Sequence, residues 1–269
     1  MDTLMQRVGG EGGGQEPRAR GYVVHHVAGA DGLSADVRQW LQSCLVRAMP
    51  SLRMSTYFTI KRDWFNEYDD LFFSVEAATG DAVALLASRW RLTAGGNRFL
   101  HATTQLIATR WQRTSMLKAM WARLFAAARD GPHGVPDTIV FKTCNPSAFR
   151  PMLLFSRVEG FRIYPRIDGR PQESDMKELA GSIAGLLCPG ALFSPESGVI
   201  KGVSVPPDFY PELPPGVRLG TPERYFHEHL TPADRVLCIT RITTEAARSR
   251  ILQAFGVAGV FGHGDCGDD

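Results

Sequence analysis

The stretch from Leu100 to Phe125 holds the polar residues whose spacing is best suited to chemistry. An apolar strand pattern runs there into an amphipathic helix pattern through the junction Thr109-Arg110-Trp111-Gln112-Arg113-Thr114-Ser115. The first turn of a helix exposes free backbone N–H groups at the positive end of the helix dipole. A strand that leads directly into a helix therefore predicts an anion site at this junction.

The basic charge of the chain is concentrated around the same junction. Between Ala82 and Arg129 there is no Asp or Glu, and eight Lys or Arg residues fall within these 48 residues. The formal net charge of the whole chain is only +2. This concentration indicates a polyanionic ligand rather than a generally cationic protein. A basic, solvated face of an α/β domain is the alternative that composition leaves open.

The bulk composition describes an ordinary globular chain of 269 residues, with 44% hydrophobic and 22% charged residues. No long apolar run or secretory signal is present, so we expect no membrane association and a cytoplasmic location. The five cysteines are scattered without a CxxC pair, which favours free thiols and predicts no metal site. The sequence has no dense basic patch with interleaved aromatic residues, so we expect no nucleic-acid partner. The sequence leaves open whether the protein forms a homodimer.

The elements that position the junction predict an α/β protein with a mixed sheet. Short Gly, Asp and Asn connectors join three predicted strands, which makes them antiparallel neighbours: Asp70 to Ala77, Ala82 to Leu92 and Arg98 to Thr109. The helix after the junction takes Thr114 or Ser115 as its N-cap.

Beyond that helix, the pattern predicts a strand parallel to the previous one. Thr138 to Cys144 is this buried strand, reached through the crossover helix. Asn145 and Pro146 then begin a further helix, because Asn is a strong N-cap and Pro suits the first helical position. A strand from Phe161 to Tyr164 follows.

The domain boundaries are predicted from composition. Residues 1–20 are Gly-rich and are expected to be a disordered tail, and 259–269 a flexible tail. The core is expected to cover residues 21–167. Residues 168–258 are expected to form a C-terminal extension that completes the same domain. Its Pro-rich passage, from Pro189 to Pro215, is expected to wrap the domain.

This order of elements, with a strand, a phosphate-type turn and a helix at its centre, resembles the GNAT superfamily of N-acetyltransferases. The resemblance covers roughly residues 21–167 and implies a GNAT-like acyl-CoA acyltransferase fold with an elaborated C-terminal region. The turn matches at Gln112-Arg113-Thr114-Ser115-Met116-Leu117, although Ser115 and Leu117 stand where the family has small residues. A second match runs from Cys144-Asn145-Pro146 to Gly160-Phe161.

The resemblance implies acetyl-CoA or another acyl-CoA as co-substrate and a small-molecule or peptide amine as acceptor. Backbone groups of Ile107 and Thr109 are expected to align the pantetheine arm. The pyrophosphate and the rest of the cofactor are assigned to a set of polar residues, namely Gln112, Arg113, Thr114, Ser115 and Asn145.

The resemblance also implies catalytic groups, and here the chain departs from the family. The Tyr that commonly protonates the departing thiolate is replaced by Ser156, so Ser156, Tyr164 or water is expected to act as the acid. The strand before the turn holds no carboxylate, and His101 is the candidate base. An imidazole near its ordinary pKa suits removal of a proton from an ammonium nucleophile, and a structural His hydrogen-bonded in the sheet is the alternative. Thr103 and Gln105 face the same way as His101 if the strand is regular.

The function predicted from these residues is direct acyl transfer from a thioester to an amine. Two alternatives stay open: a non-catalytic acyl-CoA binding or regulatory module, and a GNAT-fold enzyme with a different acyl-CoA or aminoacyl-tRNA reaction. The missing Tyr and the altered turn favour the first of these alternatives.

Overall fold

The computed structural model describes residues 21–210, 212 and 221–257. Its strands are β1 (Tyr22–Ala28), β2 (Asp70–Glu76), β3 (Ala82–Leu92), β4 (Arg98–Ile107), β5 (Thr138–Thr143), β6 (Phe161–Tyr164), β7 (Phe193–Ser194), β8 (Val199–Ile200) and β9 (Arg235–Ile242). Its α-helices are α1 (Ala35–Ala48), α2 (Met54–Ile60), α3 (Met116–Asp130), α4 (Pro146–Phe155), α5 (Ser174–Leu187), α6 (Thr221–His229) and α7 (Glu245–Phe255). The two predicted tails, 1–20 and 259–269, lie outside the described residues.

The described strands form one mixed sheet in the order β1-β2-β3-β4-β5-β9-β8-β7, and β6 also pairs with β9. Strands β1 to β4 are antiparallel neighbours, as their short connectors predict. Strand β5 runs parallel to β4 after the crossover through α3. The mixed α/β fold class predicted from the sequence is confirmed.

Strand β9 comes from the C-terminal region and lies inside the sheet. It pairs with β5 on one side and with β6 and β8 on the other, antiparallel in each case. Its residues from Val236 to Thr240 are all buried, as expected of a strand covered on both faces. The chain between β6 and β9 carries α5, β7, β8 and α6.

Helices cover both faces of the sheet. On the face that we name face A, α1 and α2 pack against β2 and β3, and α5 packs against β5 and β9. On the opposite face, face B, α3 packs against β3 and β4, α4 and α6 pack against β9, and α7 packs against β5 and β6. Face A therefore has a gap between the α1–α2 pair and α5.

Strand β4 contains a bulge at Thr103. Thr104 pairs with Ala87, and Ala102 pairs with Ser88, which leaves Thr103 without a partner on β3. The Thr103 hydroxyl donates to the Ala87 carbonyl at 3.2 Å. A bulge shifts the alternation of side chains by one residue.

The regular strand on which a shared direction of His101, Thr103 and Gln105 depends is therefore interrupted. His101 and Thr104 both lie on face A. Gln105 lies on face B, where its Oε1 accepts a hydrogen bond from Trp121 Nε1 of α3 at 3.1 Å.

Strands β4 and β5 separate just beyond the same point. Their pairing is confined to Leu100 with Ile139, His101 with Val140 and Ala102 with Phe141. Strand β4 continues to Ile107 and β5 to Thr143 without pairing to each other. The edge of β4 that faces β5 is therefore unpaired from the bulge onward.

Candidate active site

A cavity of about 1500 Å³ fills the divergence of β4 and β5 and is lined from both faces of the sheet. On face A the lining comes from α2 and the C-terminal end of α5, and on face B from the N-terminal ends of α3 and α4. The lining includes six basic residues, which are Lys61, Arg91, Arg113, Lys142, Arg150 and Arg235, and two acidic ones, Glu67 and Glu212. The site is therefore electropositive.

The junction between β4 and α3 forms one wall of the cavity. A single 3-10 turn spans Thr109–Trp111, and the Gln112 amide donates to the Thr109 carbonyl at 3.2 Å. Arg113 follows with φ 65°, the one positive φ among the non-glycine residues that the structure describes. A left-handed residue after a turn points successive backbone N–H groups toward one place, which is how proteins form anion-binding concavities.

The N-terminus of α3 keeps free amides next to this turn. The Thr114 hydroxyl accepts from the Met116 amide at 3.2 Å, and Ser115 makes no side-chain capping bond. Of the two predicted caps, Thr114 is therefore the one that bonds. The amides of Leu117 and Lys118 lie in the first turn, where a helix offers no carbonyl partner.

The N-terminus of α4 also faces the cavity. Asn145 is the N-cap, and its Oδ1 accepts from the Ser147 amide at 2.9 Å, with Pro146 at the first helical position. Asn145 and Ser147 line the cavity. The helix start predicted from the Asn-Pro pair is confirmed, and two helix N-termini converge on one site.

Most of the residues predicted to hold a cofactor line this cavity. Ile107, Thr109 and the run from Gln112 to Thr114 all contribute to the lining. Gln112 donates from Nε2 to the Ile107 carbonyl at 3.2 Å. Ser115 is turned toward β1 instead, and its Oγ lies 3.3 Å from Tyr22 Oη. Arg110 forms an ion pair with Glu76 at 2.7 Å.

His101 lies in the wall at the base of the divergence and is only 6% exposed. Neither ring nitrogen has a hydrogen-bond partner in the described part of the chain. Burial, and then the positive charges of Lys142 and Arg91, lower the pKa of His101 to about 3. The imidazole is therefore neutral at pH 7, and its pKa is far below the near-ordinary value that suits removal of a proton from an ammonium group.

The two predicted acids do not reach the cavity. Ser156 follows the last turn of α4, at the end remote from Asn145, and its hydroxyl donates to the Leu153 carbonyl at 2.7 Å. Tyr164 is completely buried under α5 and donates to the Pro195 carbonyl at 2.7 Å. Neither residue belongs to the lining.

Two other tyrosines do line the cavity. Burial raises the pKa of Tyr57 and raises that of Tyr210 to about 12, so both phenols are protonated at neutral pH and can donate hydrogen bonds. Tyr57 lies in the short helix α2, in a segment up to about Asn66 whose sequence pattern is compatible with either a helix or irregular structure. Tyr210 lies in the Pro-rich passage, which carries no periodic pattern. Their place in the site has no signal in the sequence.

The described part of the Pro-rich passage closes the gap on face A. The carbonyl of Phe209 accepts from the Arg53 amide at 3.2 Å, and the Phe209 ring lies 5.4 Å from the Tyr57 ring. On the β9 side, Arg235 donates to Ser204 Oγ at 2.6 Å. Residues 203–210 thus bridge from β9 to α2 across the cavity.

No helix among the described residues has the length and apolarity needed to span a bilayer. Within the same residues, no group of three His, Cys, Asp or Glu side chains is arranged to hold a metal ion. The terminal residues His263, Asp265 and Cys266, whose side chains could in principle hold a metal ion, lie outside the described residues.

No protein-family model and no curated protein sequence matches the chain. A search of solved structures finds a GNAT family acetyltransferase from Elizabethkingia anophelis with acetyl-CoA bound, at 13% identity and TM-score 0.39, covering 83% of this chain and 99% of that one. It also finds the diaminobutyrate acetyltransferase EctA from Paenibacillus lautus, at 21% identity and TM-score 0.33, covering 53% of this chain and 81% of that one. An aminoglycoside acetyltransferase from an uncultured soil metagenomic sample matches at 16% identity and TM-score 0.33, covering 45% and 78%.

All three are acetyltransferases. Their identities to this chain are 21% or lower and their TM-scores are 0.39 or lower.

Proposed function

We propose that this chain binds an acyl-coenzyme A across the divergence of β4 and β5 and transfers the acyl group from the thioester to an amine. The observation that carries the proposal is the cavity itself. It connects the two faces of the sheet at the point where β4 keeps an unpaired edge and two helix N-termini converge. A long anionic co-substrate and a separate acceptor can therefore meet there from opposite faces.

The unpaired edge of β4 suits an extended ligand that adds as a strand. The carbonyl of Ile107 already accepts from Gln112 Nε2, and that of Thr109 from the Gln112 amide. These two carbonyls offer a pantetheine arm their second lone pair only. From the bulge to Ile107, no residue of β4 pairs with β5.

The pyrophosphate would be held on face B. The left-handed Arg113 and the first turn of α3 supply backbone N–H groups, and the Arg113 guanidinium adds charge-assisted hydrogen bonds. Within this turn Arg113 adopts the left-handed conformation that favours glycine, while Ser115 and Leu117 add side chains at the altered positions.

The acyl transfer would take place beside His101 and the bulge. A neutral imidazole can accept a hydrogen bond from the attacking amine as the nitrogen gains positive charge. With a pKa of about 3, His101 cannot hold the proton of a free ammonium group at neutral pH. We therefore assign it the role of orienting a neutral amine, and water carries the proton away.

The test is calorimetric titration of the full chain with acetyl-CoA and longer acyl derivatives. The variant Gln112→Ala with Arg113→Gly removes the side chains of the turn while glycine keeps its backbone conformation. Arg98→Gln is the matched control, because Arg98 is an exposed base at the start of β4 that does not line the cavity. We expect the control to bind as the wild type does and the double variant to lose most of the affinity. No binding by any acyl-CoA would refute the proposal.

A non-catalytic acyl-CoA binding module is the second candidate. It is favoured by the low pKa of His101 and by the distance of Ser156 and Tyr164 from the cavity. Release of free thiol from the bound acyl-CoA in the presence of amines distinguishes the two functions. Binding without amine-dependent release would favour the module.

A further inference from the structure

The basic residues of the cavity fall into separate groups on the two faces of the sheet. Arg113 belongs to the junction on face B. Arg91, His101 and Lys142 belong to face A, as the strand register shows. Arg91 pairs directly with Phe99, two residues before His101, and His101 pairs directly with Val140, two residues before Lys142.

Because side chains two residues apart on a strand share a face, these three residues lie along one surface. Their neighbours on that surface, Phe99 and Val140, pack under α5, which fixes the surface as face A. The group is therefore separated by the sheet from the two helix N-termini assigned to the acyl-CoA.

Several polar atoms of this group have no hydrogen-bond partner among the described residues. Arg91 Nε has no hydrogen-bond partner within the described residues, and neither have the two nitrogens of His101. Lys142 Nζ donates to Cys188 Sγ at 3.1 Å, and in the part of the chain that the structure describes no carboxylate lies within ion-pair distance of it. Of the two acidic residues in the lining, Glu67 is paired with Lys61 at 3.5 Å. Glu67 and Asp69 also attract Arg91 electrostatically, but neither accepts a hydrogen bond from its Nε.

An unpartnered buried imidazole between two cations marks a place where an anion is missing. Buried polar groups in folded proteins nearly always have partners, and an exception calls for a ligand or a function. The 6% exposure of His101 means that bulk solvent does not satisfy the ring. An anionic group held by Arg91 and Lys142 would offset the positive charge that both residues place beside the imidazole.

We infer that the acceptor amine carries an anionic group, a carboxylate or a phosphate, which is bound on face A by Arg91 and Lys142 beside His101. The inference rests on the proposed acyl transfer and specifies the class of its acceptor. The reaction joins the amine nitrogen to the acyl carbon, and the carbon–sulfur bond breaks. The thiolate leaves with the electron pair, and the nitrogen loses one proton. The anionic group takes no part in these bonds and serves to place the nitrogen near the bulge.

The experiment compares acceptors that differ only in the anionic group. Amino acids are paired with their α-carboxamides, and O-phosphoethanolamine is paired with ethanolamine, while spermidine and kanamycin represent cationic amines. Thiol release is measured with the acyl-CoA that binds best by calorimetry. We expect release with a carboxylate-bearing or phosphate-bearing amine and at least tenfold less with its neutral partner. The arm that responds identifies the anion.

The variants Arg91→Gln and Lys142→Gln test the residues. Each removes a charge-assisted hydrogen bond, so KM for the anionic acceptor is expected to rise about ten- to a hundredfold. The dissociation constant of the acyl-CoA should stay unchanged, and so should KM in the Arg98→Gln control. Thermal melting shows whether each variant is folded, and the comparison of acceptors on the wild-type chain needs no variant.

The outcomes separate this inference from the proposed function. If no acyl-CoA binds, the proposed function fails first. If acyl-CoA binds but neutral or cationic amines are acylated as well as anionic ones, the substrate class is wrong and the cofactor site stands. Binding of acyl-CoA with no anionic amine acylated likewise overturns the substrate class.

Discussion

His101 couples the candidate site to the acid stability of the protein. Its pKa is lowered to about 3 in the folded chain, by burial first and then by Lys142 and Arg91, whereas an exposed histidine titrates near 6.5. Between these two pH values the unfolded chain binds one more proton than the folded chain. The free energy of unfolding therefore rises with pH in this window, and the stability present above pH 6.5 is lost as the pH falls.

The size of the effect follows from the shift. Each pKa unit corresponds to about 1.4 kcal/mol, so a shift from 6.5 to about 3 amounts to roughly 5 kcal/mol over the whole window. Lowering the pH from about 6 to about 4.5 should accordingly cost the wild type about 2 kcal/mol through this one residue. His101→Leu removes the titration, and its free energy of unfolding should fall less over the same interval by that amount.

The assay is urea denaturation of both proteins at a series of pH values, with the difference between them plotted against pH. Carboxylates and the other histidines titrate in both proteins and cancel in the difference. His133→Gln, which removes an exposed histidine beside Trp90, controls for the loss of an imidazole. Parallel pH profiles for the wild type and His101→Leu would refute the burial of a neutral, unpartnered ring.

Three further predictions concern the turn, the packing of α7 and a buried carboxylate. Gly160→Ala should destabilise the protein by about 2 to 4 kcal/mol in urea denaturation, because Gly160 has φ 83° and an added Cβ meets the Thr244 hydroxyl. Gly169→Ala is the control: Gly169 has φ 82° but open space around it, so the substitution should cost only about 1 kcal/mol. Equal losses in the two variants would show that the contact is absent. Arg113→Gly should weaken acyl-CoA binding while leaving the melting temperature equal or higher, since glycine adopts φ 65° without strain; a lower melting temperature would contradict this. Burial opposes ionisation of Asp234, but hydrogen bonds from backbone amides and neighbouring side chains outweigh it and lower its pKa to about 2. The free energy of unfolding should therefore fall by about 2 kcal/mol as the pH is lowered from 4 to 2, and Asp234→Asn should abolish this fall. A loss that persists in the variant would assign it to other carboxylates.

The sequence by itself determined the local elements and their neighbours. Connectors rich in Gly, Asp and Asn fix tight turns, so β2, β3 and β4 had to be antiparallel. Asn145 and Pro146 fix a helix start because one supplies a cap and the other lacks an N–H to satisfy. The junction from Gln112 to Thr114 was predicted as an anion site from the order of a strand and a helix, and the structure places it in the cavity wall.

The tertiary structure decided what meets in the cavity. The bulge at Thr103 follows from pairing with β3, and it moves Gln105 to the opposite face from His101. The low pKa of His101 depends on burial, on Arg91 of the neighbouring strand β3 and on Lys142 of β5, which is distant in the chain. Distances between residues far apart in sequence are set by the packing of helices and strands, and the local sequence pattern does not predict them.

The same reason explains the predictions about the acid. Ser156 stands where the resemblance places the family's Tyr, but α4 points its N-terminus at the cavity and carries Ser156 away from it. Tyr57 and Tyr210 reach the cavity from two segments without a clear period. Residue type and spacing therefore determined which chemistry the chain could attempt, and the divergence of β4 from β5 decided which side chains are in place to take part.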